Sequence, residues 1–108
     1  MELNKRTKAT MITPAAKAAV WERDGGRCLW CGAYNAEPNA HYIPRSRGGL
    51  GIEQNILTLC FKRHRIFDQP STEAEVATSR RMKQSYKHYL KSRYPGWDEK
   101  KMVYRKDM

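Results

Sequence analysis

One hundred and eight residues at 12.6 kDa suit one ordinary domain and leave no room for a second independent core or a repeat array. Twenty-one Lys and Arg against 11 Asp and Glu give a formal charge of +10 and a pI near 9.8, which points to a polyanion such as nucleic acid before a small acidic ligand. Mean hydropathy is −0.85 and no apolar run approaches the roughly 20 residues of a bilayer span, so a membrane-spanning helix is excluded.

Residues 1–11 are polar and basic without apolar periodicity and read as a mobile arm able to touch a phosphate backbone. They also lack the apolar stretch of a secretory signal, so the expected compartment is the cytoplasm and no membrane partner is expected. Thr13 offers an N-cap and Pro14 a first helical position for a helix running to Arg23, which Gly25 and Gly26 end. Cys28 and Cys31 form a C-x-x-C pair closed by Gly32. With a third cysteine, Cys60, they suit a metal knuckle in a reducing compartment better than a disulfide framework. A loop is expected to about Pro38.

Residues 40–43 suit a strand ended by Pro44, and a basic, glycine-rich loop carries Arg45, Arg47, Gly48 and Gly49. Residues 55–60 form the returning strand of that hairpin, and 61–69 a helix with Ile66 and Phe67 as its apolar residues and Pro70 closing it. Thr72 and Glu75 have capping-box spacing, and no Gly or Pro interrupts the chain from there to Pro95, which predicts the longest helix. Met82, Tyr86, Tyr89 and Leu90 recur at three and four and form its buried face, with both tyrosines read as core residues rather than base-stacking ones. Six Lys and Arg between Arg80 and Arg93, among them Arg80, Arg81 and Lys87, have no acid between them and are candidate phosphate contacts, whereas His88 reads as an exposed helix residue. A short turn around 98–101 leads to 102–104, a candidate docking strand.

Three polar residues stand in an ordered series: His41 just before Pro44, Asn55 after the Gly-Gly loop, and His64 on the helix after Cys60. Alone, His41 beside an apolar strand reads as a structural histidine and Asn55 as a turn residue; the ordered set points to catalysis. A neutral imidazole at His41 can take a proton from water near pH 7. An imidazole at His64 can hold a divalent cation, and the Asn55 amide can tie the two strands and fix the loop bearing His41. Phosphodiester hydrolysis needs such a base, cation and brace. Arg45, Arg47, Arg63 and Arg65 surround this series and are candidate phosphate contacts, although they also read as a solvated face.

The text Cys28-x-x-Cys31-Gly32, His41-x-x-Pro44-Arg45-Ser46-x-Gly48-Gly49, Asn55-Ile56-x-x-Leu59-Cys60 and His64 resembles the HNH endonuclease family over about residues 20–70. The resemblance implies an α+β fold with a ββα-metal core, flanked here by the N-terminal helix and a C-terminal helical extension over 71–108, all within one domain. It implies a metal-dependent DNA endonuclease using one divalent cation (Mg, Mn or similar) and leaving 5′-phosphate and 3′-hydroxyl ends. The tail from about 89 to 106 is similar to that of small bacteriophage HNH proteins, which implies genome processing or packaging in a bacterial host cytoplasm with a terminase as partner.

The chain departs from the family pattern twice. Ala40 stands where relatives carry a metal ligand beside the base, and Asp68, four residues after His64 and on the same helical face, is the candidate replacement. Arg63 stands where a fourth cysteine would complete a zinc knuckle with Cys28, Cys31 and Cys60. Three thiolates favour a structural zinc, yet packing alone could hold three thiols, and both readings stand at this point. The alternatives to an enzyme are a DNA-binding HNH-like module that has lost cleavage, and a degenerate zinc-knuckle adaptor.

Overall fold

A computed structural model describes residues 4–106 and gives a small α+β fold with a two-stranded antiparallel sheet among helices. Helix α1 spans Lys5–Thr10, α2 Pro14–Arg23, strand β1 Ala36–His41, β2 Ile56–Cys60, α3 Phe61–Asp68 and α4 Glu73–Arg93, with short 3₁₀ turns at Arg45–Arg47, Glu53–Asn55 and Glu99–Met102. None of these helices is long and apolar enough to cross a membrane.

Local chemistry explains the helix boundaries. The Thr13 side chain accepts from Ala16 N and Pro14 opens α2, as the sequence predicts. Thr72 accepts from Glu75 N, but the Glu75 carboxylate reaches back to the Ser71 N–H and hydroxyl and clasps Arg65, so half of the expected capping box is spent tying α4 to α3. The expected mobile arm is a helix from Lys5 onward. Asn4 caps it by accepting from Thr7 N, and its end is fixed by Gly51 N donating to Ala9 O. A side chain at Gly51 would put a Cβ 2.0 Å from Met11 O, so only glycine allows α1 to lie against this loop. Residues 1–3 of that arm lie outside the described residues.

Strand β1 begins at Ala36, four residues before the expected start and through the expected loop residue Pro38. Glu37 pairs with Leu59 and Ala40 with Leu57, so two residues, Pro38 and Asn39, oppose the single Thr58. A bulge of this kind accommodates a proline, whose missing N–H would break a regular ladder. Beyond the bulge Ala40 faces the core and is fully buried, whereas His41 stands on the open face.

One apolar cluster unites the sheet with α3 and α4. Met82, Tyr86 and Leu90 are buried along α4 as their spacing predicts, and Tyr89 packs at the edge. The segment after α4 belongs to the same cluster: buried Trp97 stacks edge-on against Tyr42 and donates to Gln54 O. The candidate docking strand forms a single bridge between Gly49 and Val103, flanked by Leu50 N to Met102 O and Tyr104 N to Gly48 O.

Beneath this packing lies a buried polar hub that the sequence analysis did not single out. Arg23 and Asp24, with side chains 8% and 0% exposed, form a two-pronged pair at 2.7 and 3.0 Å. Arg23 also donates to Glu53 O, Ile56 O and the Tyr94 hydroxyl, while Asp24 accepts from Thr58 N and Tyr89. Replacing Asp24 by Ala strands a buried guanidinium and an N–H of β2. Urea denaturation should show a loss of about 3–5 kcal/mol in unfolding free energy, well above what an exposed charge such as Glu73 contributes.

Candidate active site and metal centre

His41 is the last residue of β1 and is half-buried. Its Nε2 lies 3.0 Å from Thr10 O at the end of α1. A carbonyl only accepts, so Nε2 carries the hydrogen and the lone pair of the neutral ring falls on Nδ1. Burial lowers the pKa of His41 below 6.5; the Thr10 carbonyl opposes the shift, and the charge of Arg45 adds to it. The ring is therefore neutral near pH 7.

Asn55 is fully buried at the foot of β2. Its Oδ1 accepts from Ile43 N at 2.9 Å, and its Nδ2 donates to Leu50 O at 2.8 Å and Ile43 O at 3.2 Å. With Tyr42 N donating to Asn55 O, the residue closes the loop from Ile43 to Leu50 onto the hairpin at both ends. This is the bracing role its chemistry predicts.

His64 and Asp68 share one face of α3, with Nε2 and Oδ2 2.9 Å apart and both side chains about one-third exposed. With Phe61, Arg65 and Gln69 they line an open cleft of about 230 Å³. Both exert electrostatic effects on His41, which places the three groups in one neighbourhood. An imidazole nitrogen and a carboxylate oxygen suit a hard or borderline divalent cation. They are a pair, however: no third His, Cys, Asp or Glu joins them as a ligand cluster among the described residues. Ala40, in the position expected to ligate, turns its methyl into the core.

The arginines expected around the site divide. Arg45 and Arg47 are exposed, with Arg45 Nε 3.2 Å from the Thr10 hydroxyl. Arg65 makes a two-pronged pair with Glu75 at 2.7 and 3.2 Å, so its charge is already matched by the helix it braces. Arg63 stands beside the cysteines, where it favours the thiolate of both Cys31 and Cys60. On α4, Arg80, Arg81 and Lys87 are exposed, and so is His88, as its place on the helix predicts.

Cys28, Cys31 and Cys60 converge, all three Sγ atoms within 4.8 Å of one another and Cys31 to Cys60 at 3.8 Å. Tetrahedral zinc with bonds of about 2.3 Å separates its sulfurs by about 3.8 Å, so the cluster can hold such an ion. The knuckle is shaped by Gly32 N donating to Cys28 O and Cys28 N to Ala33 O. A hydrogen bond from the backbone at Ala33, joined by Cys28, Cys60 and Arg63, brings the Cys31 thiol down to about 7, whereas burial pushes Cys60 up. Two buried polar atoms beside the cluster, Arg63 Nε and the Tyr86 hydroxyl, have no hydrogen-bond partner in the protein. Positive charge at Arg63 can compensate thiolates, and the three cysteines could hold a metal ion.

No protein-family model matches the chain, and no curated protein matches it.

Elemental analysis of protein purified without chelator should find about one zinc per chain, retained in His64→Ala and lost in Cys28→Ser. Well-folded wild-type protein without zinc would assign the three cysteines to packing.

Proposed function

We propose that this chain is a metal-dependent DNA endonuclease of the HNH type, with a ββα-metal core formed by β1, β2 and α3. The observation that carries the reading is the orientation of His41. A neutral imidazole, held through Nε2 by a backbone carbonyl, carries its lone pair on Nδ1 and lies within electrostatic reach of a His64–Asp68 pair of metal-ligand chemistry. Such a ring suits general-base catalysis, because its proton affinity lies near working pH and its orientation is fixed in advance.

In this reading His41 Nδ1 takes a proton from water as the water oxygen bonds to phosphorus. The bond to the 3′ oxygen breaks, leaving a 5′-phosphate, and the 3′ oxygen takes a proton from solvent. Asn55 keeps the loop that follows His41 from sagging. His64 and Asp68 would hold one divalent cation (Mg, Mn or similar), which when bound neutralises charge on the phosphate and the leaving oxygen. Cys28, Cys31 and Cys60 would hold a separate structural zinc. Arg45, Arg47, Arg80, Arg81 and Lys87 would contact the phosphate backbone with little base selectivity. The resemblance further carries a role in phage genome processing beside a terminase, in a bacterial cytoplasm.

The absence of a ligand at Ala40 favours a second reading, a DNA-binding module of the same shape without cleavage. Nicking of supercoiled plasmid across a panel of divalent ions separates the two. Wild-type protein should cut, and His41→Ala should lose about 10²–10⁴-fold in rate while keeping its melting temperature and DNA affinity. Plasmid left intact by the wild type with every ion would leave only the binding module.

The pH profile supplies a second check. Protonated His41 cannot accept a proton, and burial keeps it unprotonated to below the ordinary value of 6.5. The cleavage rate should therefore hold as pH falls to 6.5 and drop only below it. An acidic limb centred above 6.5 would point to another base. For the basic surface, replacing Arg80, Arg81 and Lys87 together should reduce the slope of log affinity against log salt by up to about 2.7. An unchanged slope would assign those charges to solubility.

A further inference from the structure

Phe61 opens α3 with 85% of its surface exposed, the most exposed of the large hydrophobic side chains among the described residues. Its neighbours Cys60 and Ile66 are buried in the core, so the ring is held outward by a backbone anchored on either side. Phe61, His64 and Asp68 follow one another at three and four residues, which puts them along one helix face. They line the same cleft, the ring sharing it with the imidazole–carboxylate pair. The axial rise from Phe61 to His64 is about 4.5 Å, the scale of a single nucleotide. Within the cleft Arg65 and Asp68 are already paired, but Lys62 is exposed next to Phe61 in the chain, Arg45 lies near His41, and the chain as a whole carries a net charge of +10.

We propose that Phe61 is a stacking platform for one unpaired base of the bound strand, next to the phosphate that the site of His41 and His64 would cleave. This rests on the nuclease reading for the position of the phosphate. The occupant is a nucleic-acid strand rather than an apolar partner because a chain of net charge +10 with Lys62 exposed next to the ring attracts a polyanion, and the exposed ring offers a face on which a base can stack. An intact duplex presents base edges, not faces. A ring beside the reacting phosphate therefore selects DNA that is single-stranded, gapped or locally opened. The arrangement thus assigns both a specificity residue and a substrate class.

The test uses full-length protein carrying His41→Ala, so that DNA stays uncut, and short oligonucleotides containing 2-aminopurine at scattered positions. Binding is read by anisotropy and stacking by quenching of 2-aminopurine emission. Phe61→Ala and Phe61→Leu should each weaken single-strand binding by about tenfold and abolish a protein-dependent quench, while Phe61→Trp preserves both. Binding to a continuous duplex should change less than twofold. Because the ring is exposed, none of these changes should shift the melting temperature, which is measured alongside. Equal binding and quenching by all variants would overturn the proposal, as would full retention by Phe61→Leu, which would make the ring a plain apolar contact. Neither readout depends on cleavage, so an inactive wild type would sink the nuclease reading separately, and active protein lacking the quench would sink the stacking alone.

Discussion

The buried pair of Arg23 and Asp24 is the joint on which the other elements converge. Five groups from three parts of the chain end on these two side chains: Glu53 O in the turn before β2, Ile56 O and Thr58 N within β2, and the hydroxyls of Tyr89 and Tyr94 at the end of α4. A buried ion pair contributes little to stability by itself, because desolvation offsets its attraction. Its consequence here is geometric. Each donor and acceptor has a directional partner, so α2, β2 and α4 meet in one register, and sliding any of them would leave a buried charge unmatched. Tyr94 passes the constraint on by donating to the Glu53 carboxylate, which holds the turn leading into Asn55.

From that joint the candidate site is held on two sides. Asn55 fixes the hairpin loop from within, replacing missing backbone partners with its side-chain amide. Helix α1 fixes His41 from outside through the Thr10 carbonyl, and the Thr10 hydroxyl, which donates to Arg6 O, accepts from Arg45. The imidazole is thus oriented by an unpaired carbonyl at a helix end, a group that needs a donor in any case. The N-terminal segment is thereby a structural part of the site.

The cysteine cluster lies on the other side of α3 chemistry. Cys60 ends β2 immediately before Phe61 begins α3, so one short stretch of chain joins the thiolate cluster to the cleft of His64 and Asp68. Arg63 brings positive charge to three sulfurs and shares its buried surroundings with the Tyr86 hydroxyl. Three thiols offer a metal three bonds, and the neighbouring guanidinium compensates charge once thiolates form.

Much of the architecture was legible in the chain itself because it rests on short-range chemistry. Thr13-Pro14 starts a helix wherever it occurs without conflict, Thr72 caps the next long one, and Met82, Tyr86 and Leu90 share a face by periodicity alone. The C-x-x-C spacing and the order of His41, Asn55 and His64 likewise named the candidate groups. What the residues 4–10 do was not legible, since a basic stretch without apolar periodicity earns its helix from Asn4 and from contacts some forty residues away, such as Arg6 to Ser46. Pro38 argued locally against a strand, and only pairing with β2 showed that a bulge makes room for it. The partners of Arg63, Arg65 and Asp24 were decided by tertiary structure for the same reason: a charge finds its counter-charge through space, and sequence spacing reports only the neighbours one helical turn away.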